Sequence, residues 1–291
     1  MITLHEVELA LLASGEPISI LHLSDLHVTP KQKGKLDDLR ELATYEVDFT
    51  IVTGDFLAHR GAVPYVLDAL DGLLTRPGAF VFGSNDYYAP KLKNPLSYLF
   101  PDKGVRKLGD ELPWRELRDG LTARGWMDLN QSKVLITLKG HTVELRGTDD
   151  AHLNRDDYSL VAGSKDARAE ISIGVTHAPY MRVLDAMATD GVDLIFAGHT
   201  HGGQVRLPLP SWMGGSRALT TNCDLPTWRS RGLSVEDGKP WLHVSAGIGT
   251  SPYAPFRVGT RPEASLVNLA LQSGSNRRPT DLKAAALPTE L

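Results

Sequence analysis

The chain has 291 residues, 42% of them hydrophobic and 23% charged, with a formal net charge of -4. Such a composition excludes a disordered or fibrous protein, and the near balance of charge excludes a general electrostatic pull toward nucleic acid or membranes. The single cysteine, Cys223, excludes an internal disulfide, no stretch approaches the roughly 18 apolar residues of a membrane span, and Glu6 and Glu8 stand where a signal peptide would be basic. A cytoplasmic location is therefore expected, with membrane association only through a segment outside this chain.

Short apolar, β-branched runs that end in polar residues recur: ISILHLSDLH (18–27), VDFTIVTGD (47–55), GAFVFGSND (78–86), ISIGVTH (171–177) and VDLIFAGH (192–199). Each has the length and residue types of a buried strand. Helical patterns at Leu36 to Tyr45, Val63 to Leu74 and Met181 to Asp190 lie between several of them, the alternation of layered α/β proteins. In KVLITLKGHTVELRG (133–147), Val134, Ile136 and Leu138 alternate with polar residues, Lys139 and Gly140 turn the chain, and Val143 and Leu145 resume the alternation. That predicts an antiparallel hairpin. WLHVSAG (241–247) and ASLVNLAL (264–271) add late strands, so a second sheet packed on the first is the economical arrangement. Residues 1–271 read as a single domain and 272–291, without a core pattern, as a flexible tail. The segments Ala89 to Asp128 and Leu207 to Gly238 read as loops that shape the pocket.

The strand ends carry the chemistry. Asp25 and His27, Asp55, Asn85 and Asp86, His177, and His199 with His201 all stand at C-terminal ends of these runs, the edge at which ligands bind in open α/β sheets. Oxygen and imidazole donors without a thiolate suit hard or borderline divalent ions such as Mn, Fe or Zn. One ion with four ligands leaves part of the list unexplained, so two are expected. Asp25, His27 and His201 would hold the first, Asn85, His177 and His199 the second, with Asp55 bridging. Gly198, Gly202 and Gly203 permit the tight turn that points His199 and His201 at neighbouring ions. A metal pair activates water and clamps a phosphoryl group.

These motifs together resemble the calcineurin-like metallophosphoesterase family. Its pattern of D-x-H, G-D, G-N-H-[DE], H and G-H-x-H is matched, in order, by DLH (25–27), GD (54–55), GSND (83–86), His177 in THAP and GHTH (198–201). The longer GHTHGGQ, with SAGIGTSPYAPFRVGTRPE (245–263), is similar to a bacterial phosphodiesterase-like subgroup, some of whose members are membrane-anchored and some of which act on UDP-diacylglucosamine lipid precursors. The resemblance implies a four-layer α-β-β-α sandwich with two packed mixed β-sheets. It also implies hydrolysis of a phosphomonoester or phosphodiester, with sugar-nucleotide and lipid-linked pyrophosphate bonds among the choices, by a hydroxide between the two ions.

The chain departs from the family at Gly83-Ser84-Asn85-Asp86. Either Asn85 is the ligand and Asp86 takes the place of the family's histidine, or Ser84 and Asn85 replace asparagine and histidine; the first is preferred, because a carboxamide oxygen is a better ligand than a neutral hydroxyl. Asn85, Asp86 and His199 are then the expected catalytic residues, with Asp86 the substitute proton donor. Arg206 and Arg257 are expected to bind substrate phosphate, for which guanidinium is suited. The plainer readings are a solvated loop for the pair Asp149 and Asp150, over a further metal site with His152 nearby, structural or surface roles for His5, His22, His59, His141, His152 and His243, and a buried hydrophobe for Cys223. Tyr87 and Tyr88 fit core or pocket equally. The expected partner is a small phosphorylated substrate. The competing functions are a catalytically silent binding module of the same fold and a nuclease, which would want a basic groove.

Overall fold

The computed structural model describes residues 1–90, 108–210, 212, 215–236, 238–252 and 255–272. The chain opens with strands β1 (Thr3–Leu12) and β2 (Ile18–Leu23), helix α1 (Lys33–Glu41), strand β3 (Phe49–Thr53), helices α2 (Val63–Ala69) and α3 (Asp71–Leu74), and strand β4 (Gly78–Val81). The one-turn helix α4 (Ser84–Tyr87), helix α5 (Trp114–Thr122) and strands β5 (Met127–Asp128), β6 (Ser132–Leu138), β7 (His141–Gly147) and β8 (Ile171–Val175) follow. Helix α6 (Met181–Thr189), strand β9 (Leu194–Ala197), the short strands β10 (Arg206–Pro208), β11 (Ser216–Ala218) and β12 (Gly232–Ser234), and strands β13 (Trp241–Val244) and β14 (Glu263–Leu271) complete the order.

Two six-stranded sheets result, in the orders β1-β14-β2-β3-β4-β5 and β12-β13-β9-β8-β7-β6, with β10 and β11 apart as a ribbon. Both sheets are mixed: β2, β3, β4 and β5 run parallel while β14 meets β2 antiparallel, and β7, β8, β9 and β13 run parallel between antiparallel β6 and β12. Alternate residues of a strand face opposite sides. Ile20, Ile51 and Val81 of the first sheet therefore meet Val143, Ile173 and Phe196 of the second in one apolar layer. The outer face of the first sheet packs Val52 and Phe80 on Leu36, Leu39, Val66 and Leu117 of the helices. The outer face of the second packs Ile195 and Val244 on Val183, Leu184 and Met187 of α6. This is the expected α-β-β-α layering.

Differences from the sequence reading are local. The helical pattern over 63–74 breaks at Leu70 into two helices, and Gly72 lies so close to Ala43 that a Cβ there would come within 2.6 Å of the alanine methyl. β1 belongs to no assigned pattern and pairs in parallel with β14 from the far end of the sequence, and the segments read as loops carry elements of their own, α5 and β5 within Ala89 to Asp128 and β11 and β12 within Leu207 to Gly238. The hairpin turn is as expected, with Lys139 and Gly140 both at positive φ (50° and 84°), the conformation a two-residue turn requires. Within the predicted tail only Gln272 is described, its N–H donating to Leu12 O at 2.8 Å; residues 273–291, and 91–107 of the predicted pocket loop, lie outside the described residues.

Between the sheets His22 of β2 and His243 of β13 share an Nδ1–Nδ1 hydrogen bond of 2.9 Å, and His22 Nε2 bonds Thr53 Oγ1 at 2.9 Å. Burial, with His5 nearby, pushes His243 down to about 4, and burial with His243 pushes His22 well below its ordinary value. A histidine lowered in the folded state leaves the unfolded chain to take up the proton first. Stability is therefore full above about pH 6.5 and is lost as pH falls toward the folded value. His243→Gln is expected to lose about 2 kcal/mol less than the parent between neutral pH and about pH 5, read by urea denaturation at both values; equal losses contradict this.

Candidate metal centre

The parallel strands of both sheets deliver their C-terminal ends to one cleft. β2 leads into Asp25 and His27, β3 into Asp55, β4 into Gly83 and α4, β8 into His177, and β9 into His199 and His201. Backbone bonds lock the loops together: Asp25 N–H donates to Gly54 O (2.9 Å), His27 N–H to Asp55 O (2.8 Å) and Gly198 N–H to His177 O (2.9 Å). Five of the candidate ligands hold left-handed backbone: Asp25 (φ 52°), His27 (43°), Asp55 (56°), His199 (68°) and His201 (49°). Such conformations cost about 1–3 kcal/mol each for residues with a Cβ and persist where surrounding structure forces them, most often at functional sites.

The donor atoms converge without satisfying one another. His27 Nε2 lies 3.4 Å from His201 Nε2, and His177 Nε2 lies 3.3 Å from His199 Nδ1. Carboxylate oxygens stand close by: Asp25 Oδ1 is 3.6 Å from His201 Nε2, and Asp55 Oδ2 is 3.5 Å from His27 Nε2 and 3.6 Å from His177 Nε2. Two of the imidazoles have their outward protons assigned by the backbone. His177 Nδ1–H donates to Thr53 O (2.6 Å) and His199 Nε2–H to Asn222 O (3.2 Å), which turns the other nitrogen of each ring inward, toward its neighbour. Asp25 Oδ1 is buried and has no hydrogen-bond partner, a costly arrangement for a carboxylate.

A divalent cation answers both facts. Tetrahedral bonds of about 2.1 Å set neighbouring donors about 3.4 Å apart, the spacing seen here. Two three-residue sets meet the requirement of mutual approach, Asp25 with His27 and His201, and Asp25 with Asp55 and His177. Ligand imidazoles must be neutral, and burial holds His199 at about 3 and His201 at about 4. His177 is the exception: although burial opposes it, the carboxylates of Asp55, Asp25 and Asp150 push it up to about 9. The charge that draws a proton there would draw a cation.

Glycine is required at two points. A Cβ on Gly83 would lie 2.3 Å from Asp55 Oδ1 and 2.7 Å from the His177 ring, and one on Gly198 would lie 1.8 Å from Ser24 Oγ. Ser24 Oγ and His199 N–H both donate to Asp25 Oδ2, at 2.7 and 3.0 Å, so the Gly198 turn and the support of Asp25 are one construction.

The structure brings Asp25, His27, Asp55, Asn85, His177, His199 and His201 together, with Asp25 and His177 fully buried beneath the cleft that the others line, and corrects three other expectations. Asp86 is fully buried behind the centre and accepts the N–H groups of Asp55 (2.8 Å), Gly83 (2.9 Å) and Leu57 (3.1 Å). Burial and Asp55 push its carboxyl up to about 8, yet no oxygen is left to meet a substrate. Arg206 is buried too, spent on Gly202 O (2.9 Å), Ser216 O (3.0 Å), Ser216 Oγ (2.9 Å) and Ser230 Oγ (2.8 Å). Arg257 clamps Ala246 O, Gly247 O and Gly249 O at 2.8, 3.0 and 2.5 Å, close behind His201. Both arginines hold loops instead of phosphate. Asn85 faces Asp55 with its N–H groups, the backbone to Oδ1 (2.8 Å) and the carboxamide to Oδ2 (2.7 Å); rotation of the carboxamide exchanges nitrogen for oxygen. Asp86→Ala, which would orphan three buried N–H groups, is expected to cost about 2–4 kcal/mol of stability by urea denaturation, whereas a cost below about 1 kcal/mol would make Asp86 dispensable to the fold.

A fourth correction concerns the pair read as a solvated loop. Asp149 and Asp150 are buried, and so is His152. Asp150 accepts the N–H groups of His152 and Leu153 and is pushed up to about 7 by burial, with Asp55 and Asp149 adding to it. The His152 ring lies 4.4 Å, centroid to centroid, from that of His199, and its Nδ1 is 3.2 Å from Tyr180 Oη. Thr148-Asp149-Asp150 follows β7 as Asp25 follows β2, so the strand-end rule applied evenly would have found it. Tyr87 is core, its hydroxyl donating to Asp149 at 2.7 Å, while half-buried Tyr88 lines the cleft. Cys223 is half-buried against the α6 core.

Ser84, Asn85, His152, Gln204, Asn222 and Ser251 line the open cleft beside the histidines. The sequence profile of calcineurin-like phosphoesterases matches residues 18–203. Two proteins of Bacillus subtilis (strain 168) are similar: the uncharacterized metallophosphoesterase YkoQ is 29% identical, over 87% of this chain and 84% of its own, and the uncharacterized protein YpbG is 26% identical, over 91% and 86%. Among solved structures, phosphopantetheinyl hydrolase from Mycobacterium tuberculosis aligns with 12% identity over 77% of this chain and 87% of that one, at a TM-score of 0.45.

Proposed function

The chain belongs to the calcineurin-like phosphoesterase family, and from that premise we propose a hydrolase of small phosphoric esters that works with two divalent cations. Asp25, His27 and His201 hold one ion. His177 and His199, completed by Asn85, would hold the other, and Asp55 would stand between the two. The observation that carries this reading is the convergence of imidazole nitrogens and the partnerless Asp25 Oδ1 at ligand-to-ligand spacing. When bound, such a pair supplies an activated water and neutralises charge on the phosphoryl oxygens.

The protein's own residues do the rest. Thr53 O and Asn222 O fix which nitrogens of His177 and His199 face inward, and Ser24 and the His199 N–H hold Asp25. The Asn85 backbone N–H holds Asp55 Oδ1. Mn, Fe and Zn all suit the nitrogen and oxygen donors. A protein nucleophile is not needed. The histidine that follows asparagine in the family is replaced here, and with Asp86 occupied behind the centre the polar side chains lining the cleft include Asn85 and His152.

The experiment is hydrolysis of bis(p-nitrophenyl) phosphate and of p-nitrophenyl phosphate by chelator-stripped protein, before and after Mn²⁺ is restored. Release of p-nitrophenol that appears only with metal and is weakened in His199→Ala supports the proposal. A parent protein that takes up two metal ions and hydrolyses neither ester, nor any of a panel of nucleotide, sugar-nucleotide, lipid-headgroup and phosphoprotein esters, overturns it in favour of a binding module.

A further inference from the structure

Immediately after the last ligand loop the chain builds a ribbon outside the two main sheets. β10 and β11 pair with Arg206 opposite Ala218 and Leu207 opposite Arg217. Leu219 N–H donates to Val205 O at 3.1 Å, and Val205 bridges to Val258 in parallel, which widens the ribbon to three strands. Residues directly opposed share a face and neighbours alternate. Arg206 and Ala218 fall on the inner face, 6% and 2% exposed. The outer face carries Leu207, Arg217, Leu219, Phe256 and Val258, with Leu207 and Val258 each 51% exposed. Trp212, in the connection between β10 and β11, is 83% exposed.

Single exposed apolar residues are ordinary, but contiguous ones mark an interaction surface. This ribbon, with Trp228 on the turn packed against β11, gathers half of the large apolar side chains exposed among the described residues. Its charge is one-sided. Residues 205–222 and 255–262 contain Arg206, Arg217, Arg257 and Arg261 and no Asp or Glu, in a chain of net charge -4. A second copy seated face to face would bring two sets of the same arginines into one interface with no Asp or Glu of these segments to pair them. Aliphatic side chains and tryptophan beside Arg217, which donates to Thr227 Oγ1 at 3.4 Å and has no carboxylate partner among the described residues, instead match the interface of an anionic bilayer, where apolar groups enter the acyl boundary and guanidinium stays among the headgroups.

We infer that the outer face of this ribbon docks on an anionic lipid surface, inserting Leu207, Trp212, Leu219, Phe256 and Val258 with Arg217 at headgroup level. Among the described residues no helix is long and apolar enough to cross a membrane, so the contact is peripheral. Gln204 and Asn222, at the two roots of the ribbon, both line the cleft, so docking brings the cleft mouth beside the headgroups. The docking surface does not depend on the phosphoesterase reading; only the presentation of a lipid-borne ester to the cleft rests on it.

The test is vesicle flotation of the whole chain with phosphatidylcholine alone and with equimolar phosphatidylcholine and phosphatidylglycerol. The parent floats with the anionic vesicles, less as salt rises, and Leu207→Ser with Val258→Ser lowers its partition at least about tenfold. Arg217→Glu lowers it as well, while Leu160→Ser, exposed on another face, leaves it unchanged. Because binding is read without catalysis, an inactive protein that floats still supports the docking face. A parent that stays with neither vesicle, variants that float like the parent, or a parent dimer that Leu207→Ser dissociates would each overturn the inference. Melting temperatures of the variants equal to the parent's confirm that the ribbon is folded, and Arg217→Glu gives the same readout should the double variant melt early.

Discussion

Asp55→Asn is expected to reduce kcat/KM for a p-nitrophenyl phosphodiester at least about a thousandfold and to lower bound metal below two ions per chain. The asparagine keeps the shape and the hydrogen bond from Asn85 N–H, so the fold should survive. What is lost is the charge between His27 and His177, which Asp55 Oδ2 approaches to 3.5 and 3.6 Å. A neutral amide cannot bridge two cations as a carboxylate does. Elemental analysis separates the outcomes: less metal with lost turnover fits a bridging role, whereas full metal and full turnover would move the bridge elsewhere.

The second large effect comes from a residue that offers no ligand. Gly83→Ala would place its methyl 2.3 Å from Asp55 Oδ1 and 2.7 Å from His177, closer than real Cβ contacts come, and both neighbours are buried. Either the Asp55 carboxylate or the β4–α4 turn must move by more than a metal pair tolerates. Turnover should fall at least about a hundredfold, with metal released from the His177 side first. Gly34→Ala is the matched control, since nothing lies within 4 Å of a Cβ at that place in α1; it should raise stability slightly through helix propensity. If Gly83→Ala turns over like the parent, the close approach of Asp55 and His177 is not required.

The parts of the fold legible in sequence are those whose burial is written in one segment. β2, β3, β4, β8 and β9 are apolar runs because both faces of their sheets are covered. β1 is not such a run: it alternates Glu6 and Glu8 with apolar neighbours at a sheet edge, and its partner β14 lies more than 200 residues away, a pairing no local pattern announces. The site divides in the same way. Strand-end position exposed Asp25, His27, Asp55, His177, His199 and His201, because the edge of a parallel sheet is defined by the strands themselves. Nothing in residue type exposed the left-handed backbone at five of them, which tertiary contacts impose. Nor did type separate Asp86, Arg206 and Arg257 from cleft residues: carboxylate and guanidinium satisfy buried backbone groups as well as they bind substrates, and only packing decides which. Asp149 and Asp150 failed in the opposite direction, since a loop rich in charge was read as solvated while the residue that follows, Ala151, packs into the α6 core and His152 packs on Tyr180 and His199.

The most direct measurement is anomalous diffraction from crystals of the protein grown with Mn²⁺. Two peaks are expected, one among Asp25, His27 and His201 and the other beside His177 and His199, with Asp55 between them. A map with a single peak, or with peaks only away from these side chains, would contradict a dinuclear centre.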